Sequence, residues 1–253
     1  MNYFIRRVTC LALVLLCFGM IPSVMAQEDA EPEENASNPL SKGRNTDLRA
    51  QYFDLGDNTD RRSFDVEGAT MLSSQLKLKY ELHFWNTDVT GSREQAMETV
   101  SLKAIYYAKD RQWRGWGVRP ALGLEWIKDF DNVDKGIGGG SDFLSPFVGL
   151  AFAHPSGLSL VPLVQHYSEY SGNKVNLTAF RLIGIKSLSK GYWFKLDAKV
   201  PFDWENDTVP ASAEVQLGRT FSPGLAAYLD GFAGLGSDRP YDWGLGIGLR
   251  FVY

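Results

Sequence analysis

The chain has 253 residues, a formal net charge of −4 at pH 7, 25 glycines and 13% aromatic residues. The acidic balance argues against nucleic acid as a partner, because phosphate binding needs a basic face. Both cysteines, Cys10 and Cys17, lie near the N-terminus. The remainder therefore has no thiol for a disulfide, a zinc–thiolate site or a cysteine nucleophile.

Residues 1–26 have the organisation of a cleaved signal peptide. Arg6 and Arg7 form a positive start, an apolar run covers residues 8–22, and residues 23–26 suit cleavage. The apolar run is shorter than the about 20 residues of a spanning helix, which disfavours a retained membrane anchor. We expect Gln27 to be the mature N-terminus. Loss of the two arginines would change the net charge from −4 to −6.

Residues 27–43 hold five acidic residues, one lysine and no aromatic residue. A segment of this composition cannot bury enough apolar surface to offset the entropy lost on ordering. We therefore predict a disordered acidic lead-in on the periplasmic side. Residues 44–253 show no further change in composition and are predicted to form one domain.

The rest of the chain alternates apolar and polar residues with the period of a β-strand. The alternation is clearest in Leu76–Phe84, Val118–Trp126, Phe194–Val200 and Ala213–Leu217. Helical spacing explains none of these segments, so the chain is predicted to be all-β. About twelve strands are expected, over residues 46–56, 62–72, 75–86, 97–108, 116–128, 142–153, 158–170, 175–188, 192–204, 211–221, 225–236 and 242–253.

The connections between these strands are of two alternating kinds. One set is mostly tight: 73–74, 154–157, 189–191 and 222–224, with a longer one at 109–115. The other set is longer and acidic: 57–61, 87–96, 129–141, 171–174, 205–210 and 237–241. Short periplasmic turns opposite longer outer loops are typical of a membrane barrel and not of a soluble sandwich. The pattern predicts a transmembrane antiparallel up-and-down β-barrel in the outer membrane of a Gram-negative bacterium.

Aromatic residues lie at both ends of the predicted strands. Those beside the longer loops are Trp85, Trp126, Tyr170, Trp204 and Trp243, and those at the opposite ends are Trp116, Tyr192, Trp193, Phe221 and Tyr253. Two aromatic girdles suit a bilayer, because amphipathic rings favour the headgroup level. An ordinary aromatic core is the alternative.

The last strand places apolar residues at every second position up to the chain end, at Leu245, Ile247, Leu249, Phe251 and Tyr253. This pattern resembles the terminal insertion signal of outer-membrane barrels, which implies the barrel-assembly machinery as a partner. Pairing of the first strand with the last would leave no unpaired backbone in lipid.

The polar faces of these strands are predicted to line the lumen. A charge facing lipid at the midplane costs about 2–4 kcal/mol, so the charged residues are expected to point inward. The predicted lumen residues are Lys77, Lys79, Glu81, His83, Arg119, Glu125, Lys195, Asp197, Lys199, Glu214 and Arg250. Their mixed signs indicate internal ion pairs around a narrow lumen. Whether they line a conducting path or only stabilise the barrel stays open.

From about Asn38 onward the chain resembles a group of small outer-membrane transporters, some linked to a phenol-degradation pathway. The resemblance rests on residues 45–49, 76–85, 196–201 and 238–244. It implies passage of a small aromatic or hydrophobic solute and transfers no functional residue.

One short motif is a candidate for catalysis. His166 and Ser168 resemble the His-x-Ser pair of outer-membrane phospholipase A and lipid A deacylase, in which the histidine activates the serine. The phospholipase motif continues with Asn-Gly, whereas this chain continues with Glu169-Tyr170. The sequence leaves the facing of the pair open.

No cofactor or metal site is predicted. The histidines are scattered, and Asp129, Asp131 and Asp134 lack the alternate-position spacing of a calcium loop. The partners expected are outer-membrane lipid and lipopolysaccharide, the assembly machinery and a small-molecule solute. The leading hypothesis is a non-enzymatic passive channel. The alternatives are an acyl hydrolase that uses His166 and Ser168, and a closed structural or adhesion barrel.

Overall fold

A computed structural model describes residues 35–253. The predicted signal peptide, 1–26, and residues 27–34 of the lead-in lie outside these residues. The strands are β1 Asn45–Gly56, β2 Thr59–Met71, β3 Leu76–Thr87, β4 Glu94–Tyr107, β5 Arg111–Trp113, β6 Trp116–Asp129, β7 Ser141–Ala153, β8 Leu158–Gly172, β9 Asn176–Ser187, β10 Tyr192–Asp203, β11 Ala211–Ser222, β12 Leu225–Leu235 and β13 Trp243–Val252. Within the described part of the chain, no helix is long and apolar enough to cross a membrane.

Twelve of these strands form one closed antiparallel barrel. Each long strand pairs with its neighbours in sequence, β4 pairs with β6, and β1 pairs with β13 over ten residue pairs from Asn45–Val252 to Asp54–Trp243. The short β5 pairs only with the start of β6 and stands outside the ring. The predicted twelve-stranded barrel is confirmed.

The connections at the two ends of the barrel differ in length, with one departure from the prediction. We call the end that holds Asn45 and Val252 the terminal end, and the opposite end the loop end. Residues 57–61 were expected to form a longer loop, yet β1 and β2 are joined at the loop end by Asp57 and Asn58 alone. Both have positive φ, 52° and 58°, as in the two-residue turns that match strand twist.

The two faces of the sheet have opposite chemistry. In β13, Leu245, Ile247 and Leu249 are 58%, 54% and 44% exposed, whereas Arg250 is only 6% exposed. Other outward apolar side chains around the ring are Phe64, Leu102, Leu122, Leu124, Val148, Phe180, Val215, Leu217 and Leu229. Soluble monomers rarely expose so large a contiguous apolar surface.

Two of the residues assigned to aromatic girdles lie inside the barrel. Trp193 is buried and donates a hydrogen bond to Gln216 (2.9 Å), and Trp85 lines the lumen. Both occupy the same alternate positions as inward-facing residues, His83 for Trp85 and Lys195 for Trp193. Position along the strand suggested a girdle, but alternation decides the face. Tyr170, Trp204, Trp243, Tyr192, Phe221 and Tyr253 are exposed as expected for girdles.

A bilayer around the outer face makes a prediction about two exposed leucines. Leu124 lies in the middle of β6 and Leu72 in a turn at the terminal end, and both are exposed. We expect Leu124→Arg to destabilise the barrel by about 2–4 kcal/mol and Leu72→Arg by about 0–1 kcal/mol, because only the former puts a charge into hydrocarbon. Reversible urea unfolding from phospholipid vesicles measures both. Equal effects would contradict a lipid-covered outer face.

Candidate functional site: the lumen

The lumen contains a cavity of about 550 Å³, lined by inward side chains from strands all around the ring. Polar and charged groups dominate the middle of the strands, and aromatic groups lie toward the loop end. Alternation places these groups inside, because every second side chain of a strand points to the same face.

Arg49 is the centre of the mid-barrel charges. Its guanidinium lies 3.2 Å from Glu67, 3.1 Å from Asp230 and 3.7 Å from Glu214. These carboxylates come from β2, β12 and β11, so one side chain of β1 links four strands across the inner face. Such a buried cation is stable because several anions offset its loss of water.

Further ion pairs extend this network into a charge belt. The additional pairs are Lys79–Glu67 (3.4 Å), Lys79–Glu81 (2.8 Å), Lys195–Glu214 (2.6 Å), Arg181–Asp197 (2.5 Å) and Lys103–Glu125 (3.1 Å). Gln165 adds a hydrogen bond to Glu125 (2.6 Å). Each charge in the belt is therefore matched locally, and the belt has no strong net sign.

A second buried pair lies nearer the terminal end. Arg250 donates to both carboxylate oxygens of Asp47, at 2.6 Å for the shortest contact, and the Tyr228 hydroxyl donates to the same carboxylate at 3.0 Å. The Tyr228 ring covers Gly248, where an added Cβ would lie 2.1 Å from the ring carbon Cζ. Glycine at 248 is thus required for the aromatic ring to lie flat on the inner wall.

The structure places the eleven predicted lumen residues in two groups. Nine contact the cavity or the charge belt: Lys79, Glu81, His83, Glu125, Lys195, Asp197, Lys199, Glu214 and Arg250. Lys77 and Arg119 instead hold the N-terminal segment described below. The sequence reading missed Arg49, Arg61, Glu67, Lys103, Arg181 and Asp230. The run Ser63–Glu67 alternates well enough to have revealed part of this set.

Residues 35–43, which we call the plug segment, enter the barrel at the terminal end. Leu40 is fully buried against Ile105, Val161 and Ile183 in an apolar cluster inside the barrel. The Ser41 carbonyl accepts hydrogen bonds from the Lys77 ammonium and the Tyr107 hydroxyl, both at 2.8 Å.

The plug segment is also bonded to the inner wall at a second point. The Ser37 hydroxyl donates to Gln216 (2.7 Å) and accepts from Arg250 (2.9 Å). The composition of 27–43 predicts a disordered lead-in; residues 35–43 make the contacts given above, and residues 27–34 lie outside the described range. The acidic residues of the lead-in all precede residue 35, and the remaining stretch provides one leucine that fits an apolar pocket.

A turn at the terminal end supports the wall beside the plug segment. Arg119 donates two hydrogen bonds of 3.1 Å to Asp110, which lower the pKa of that carboxyl, and also contacts the Leu40 carbonyl at 3.5 Å. Asp110 is half-exposed, so this ion pair contributes little stability by itself. Its effect is to orient Arg119 toward the plug segment.

His166 and Ser168 lie on the outer face of β8, since Val161 and Leu163 of the same strand are buried inside. His166 Nδ1 is 3.0 Å from the Thr178 hydroxyl, which also accepts from Trp204 Nε1 at 3.0 Å. Within residues 35–253 there is no hydrogen bond between His166 and Ser168. The geometry does not assemble the nucleophile and base that acyl transfer needs.

The other two histidines, His83 and His154, contact side chains of the barrel. His83 is 2.9 Å from Asp65 and 3.5 Å from Glu81 in the lumen, and the His154 ring packs on Trp116 in a turn. In the described range, no cluster of three or more His, Cys, Asp or Glu side chains is arranged to hold a metal ion.

The fold resembles that of several outer-membrane channels. The COG4313 outer membrane channel from Pseudomonas putida F1 superposes with a TM-score of 0.62 at 8% identity, over 89% of this chain and 100% of that chain. The NanC porin gives 0.59 at 12% identity, over 82% and 98%. The KdgM porin in complex with disordered oligogalacturonate gives 0.54 at 11% identity, over 83% and 99%.

Outer membrane phospholipase A from Escherichia coli shares the fold more distantly, with a TM-score of 0.50 at 15% identity over 89% of this chain and 94% of that chain. No protein-family model and no curated protein sequence matches the chain. At these identities the likeness concerns architecture alone. The chain has the closed twelve-stranded barrel found in small outer-membrane channels.

The charge belt predicts a large effect for loss of its central cation. We expect Arg49→Met to destabilise the barrel by about 3 kcal/mol, because three carboxylates then lose their shared partner in a partly buried setting. Arg62→Met is the control; its side chain is 61% exposed on the outside, and a change within about 0.5 kcal/mol is expected. Urea unfolding in detergent micelles measures both variants. Similar values for the two would show that the belt is not structural.

Proposed function

We propose that this protein is a passive, non-enzymatic channel for small solutes in the bacterial outer membrane. The observation that carries the proposal is a closed barrel with an apolar outer face and a polar cavity inside. Backbone groups in hydrocarbon must all be bonded, and a closed ring achieves this with strands alone. A cavity lined by polar side chains inside such a ring provides a path for polar solutes through the membrane.

The terminal end would face the periplasm and the loop end the cell exterior. Short turns lie at the periplasmic rim of bacterial barrels, and the plug segment follows the predicted export signal. The exposed alternate residues from Leu245 to Tyr253 would be the part of the chain that the barrel-assembly machinery recognises. Outer-leaflet lipid and lipopolysaccharide would contact the loop-end girdle and the acidic loops.

The charge belt favours small solutes over charged polymers. The KdgM structure contains oligogalacturonate, a polymer with one carboxylate on each sugar. A path for such a chain needs a continuous cationic track, whereas the cations of this belt are each within 4.0 Å of a carboxylate. A locally neutral lumen instead suits solutes that carry at most one charge.

The plug segment would restrict the periplasmic half of this path. Leu40 fills space inside the lumen against the adjacent strands β4, β6, β7, β8 and β9, and the hydrogen bonds to Ser37 and Ser41 fix the backbone beside it. Among residues 35–253, no segment fills the outer half of the cavity in this way. A solute could therefore enter from the outside and would cross only when the plug segment moves.

Conductance in planar bilayers tests the channel and the plug together. We expect a variant lacking residues 27–41 to conduct at least about twofold more than a variant lacking residues 27–34, since only the former removes Leu40 from the lumen. Leu40→Asp should shift conductance in the same direction while keeping the chain length. All variants retain residues 1–26 for export.

Heat-modifiable electrophoretic mobility would verify that each variant folds. A folded variant without residues 27–41 that leaves the bilayer sealed would contradict a channel through this lumen. Equal conductance of the two deletions would contradict a restricting role for the plug segment.

A further inference from the structure

Three charged side chains of the cavity remain without an ion-pair partner. Of the charged groups that line it, all but Arg61, Glu98 and Lys199 have an ion-pair partner within 4.0 Å among residues 35–253, the partner of Asp65 being the His83 ring. These three lie on the loop-end side of the charge belt. Two of the three are cations and one is a carboxylate.

Arg61 is held by aromatic rings. Its guanidinium carbon is 4.1 Å from the centroid of Trp85 and 4.5 Å from that of Phe53. The Nε–H is buried and has no hydrogen-bond partner among the described residues. Ring contacts engage the faces of a guanidinium and leave its N–H edge, which matches the two oxygens of a carboxylate. An unsatisfied buried donor is costly, so a bound anion would remove a penalty that the empty site carries.

Lys199 approaches the same space from across the barrel. It lies on β10, which four strands (β11, β12, β13 and β1) separate from β2 on the shorter way round the ring. Its ammonium is 5.5 Å from the centroid of Tyr167, whose ring meets Phe143 edge to face at 6.4 Å. Each free cation thus stands beside aromatic surface. We call Phe53, Arg61, Trp85, Phe143, Tyr167 and Lys199 the outer vestibule.

We propose that the outer vestibule is a binding site for a small aromatic monocarboxylate, with benzoate as the simplest example. The carboxylate would bind the edge of Arg61 and attract Lys199, and the ring would lie against Trp85, Phe143 or Tyr167. A single carboxylate matches the N–H edge of Arg61, whereas a dianion would bring a second negative charge into a cavity that Glu98 also lines. The flat apolar ring of the ligand would pack on aromatic side chains that would otherwise be exposed to water. This inference rests on the proposed channel and names the class of solute that it selects.

Titration calorimetry on the detergent-solubilised barrel tests the site without requiring conduction. We expect benzoate to bind about tenfold more tightly than benzamide, which has the same shape and no charge, and than acetate, which has the charge and no ring. Arg61→Gln should weaken benzoate binding by about tenfold, and Lys199→Gln by less, because a lysine offers a single point charge. Lys190→Gln, in an exposed turn at the terminal end, should bind as the parent does.

Folding of each variant would be verified by heat-modifiable mobility, and Lys199→Gln keeps the test available if Arg61→Gln does not fold. Equal binding of benzoate and benzamide, or parental affinity in both variants, would overturn the proposal. Conductance and benzoate binding of the variant that lacks residues 27–41 separate the two ideas. A conducting barrel that ignores benzoate defeats the binding site alone, and a sealed barrel that binds benzoate defeats the channel alone.

Discussion

Complete backbone hydrogen bonding inside a hydrocarbon layer is the constraint on which the rest of this structure depends. The ten pairs between β1 and β13 close the ring, so no strand edge faces lipid. Once the ring is closed, successive side chains of every strand alternate between the lipid outside and the lumen inside. Apolar side chains such as Ile247 face outward, and Arg250, three residues later, must face inward. The polar lumen is therefore a direct consequence of how the backbone is satisfied.

Packing charges into a narrow lumen then creates a second requirement, local neutrality. Arg49 satisfies it with three carboxylates from three other strands, which also fixes the relative position of those strands. Where this matching is complete, the charges act as structure. Where it is incomplete, as at Arg61 and Lys199, a cation without an ion-pair partner within 4.0 Å among the described residues lines the cavity. The paired charges in the middle of the barrel thus contribute to stability, whereas Arg61 and Lys199, nearer the loop end, would contribute to selectivity.

Most of the barrel could be predicted from local pattern, and the errors have a common physical origin. Strand positions and the inward charges follow from alternation, which is a property of adjacent residues. Trp85 and Trp193 were misassigned because closeness to a strand end was given more weight than alternation. The position of residues 35–43 inside the barrel depends on Leu40 packing against Val161 and Ile183, more than a hundred residues away in sequence. Composition cannot reveal a pocket built by distant strands. The partners of Arg49 required register, which a single sequence does not supply.

The two ends of the lumen differ in their hydrogen bonding: the plug segment is bonded at the terminal end, and the outer vestibule has a donor that is unpaired among the described residues. At the terminal end, Lys77 is only 2% exposed and its ammonium donates to the Ser41 carbonyl. A buried ammonium costs little free energy when such an acceptor is present. Withdrawal of the plug segment would remove the acceptor and raise the free-energy cost of burying Lys77 until water reached the ammonium. This linkage favours the occupied state at the terminal end. In the outer vestibule the balance is reversed, because the Nε–H of Arg61 lacks an acceptor there. Under the proposed orientation, the lumen would accept an anion from outside and resist opening toward the periplasm.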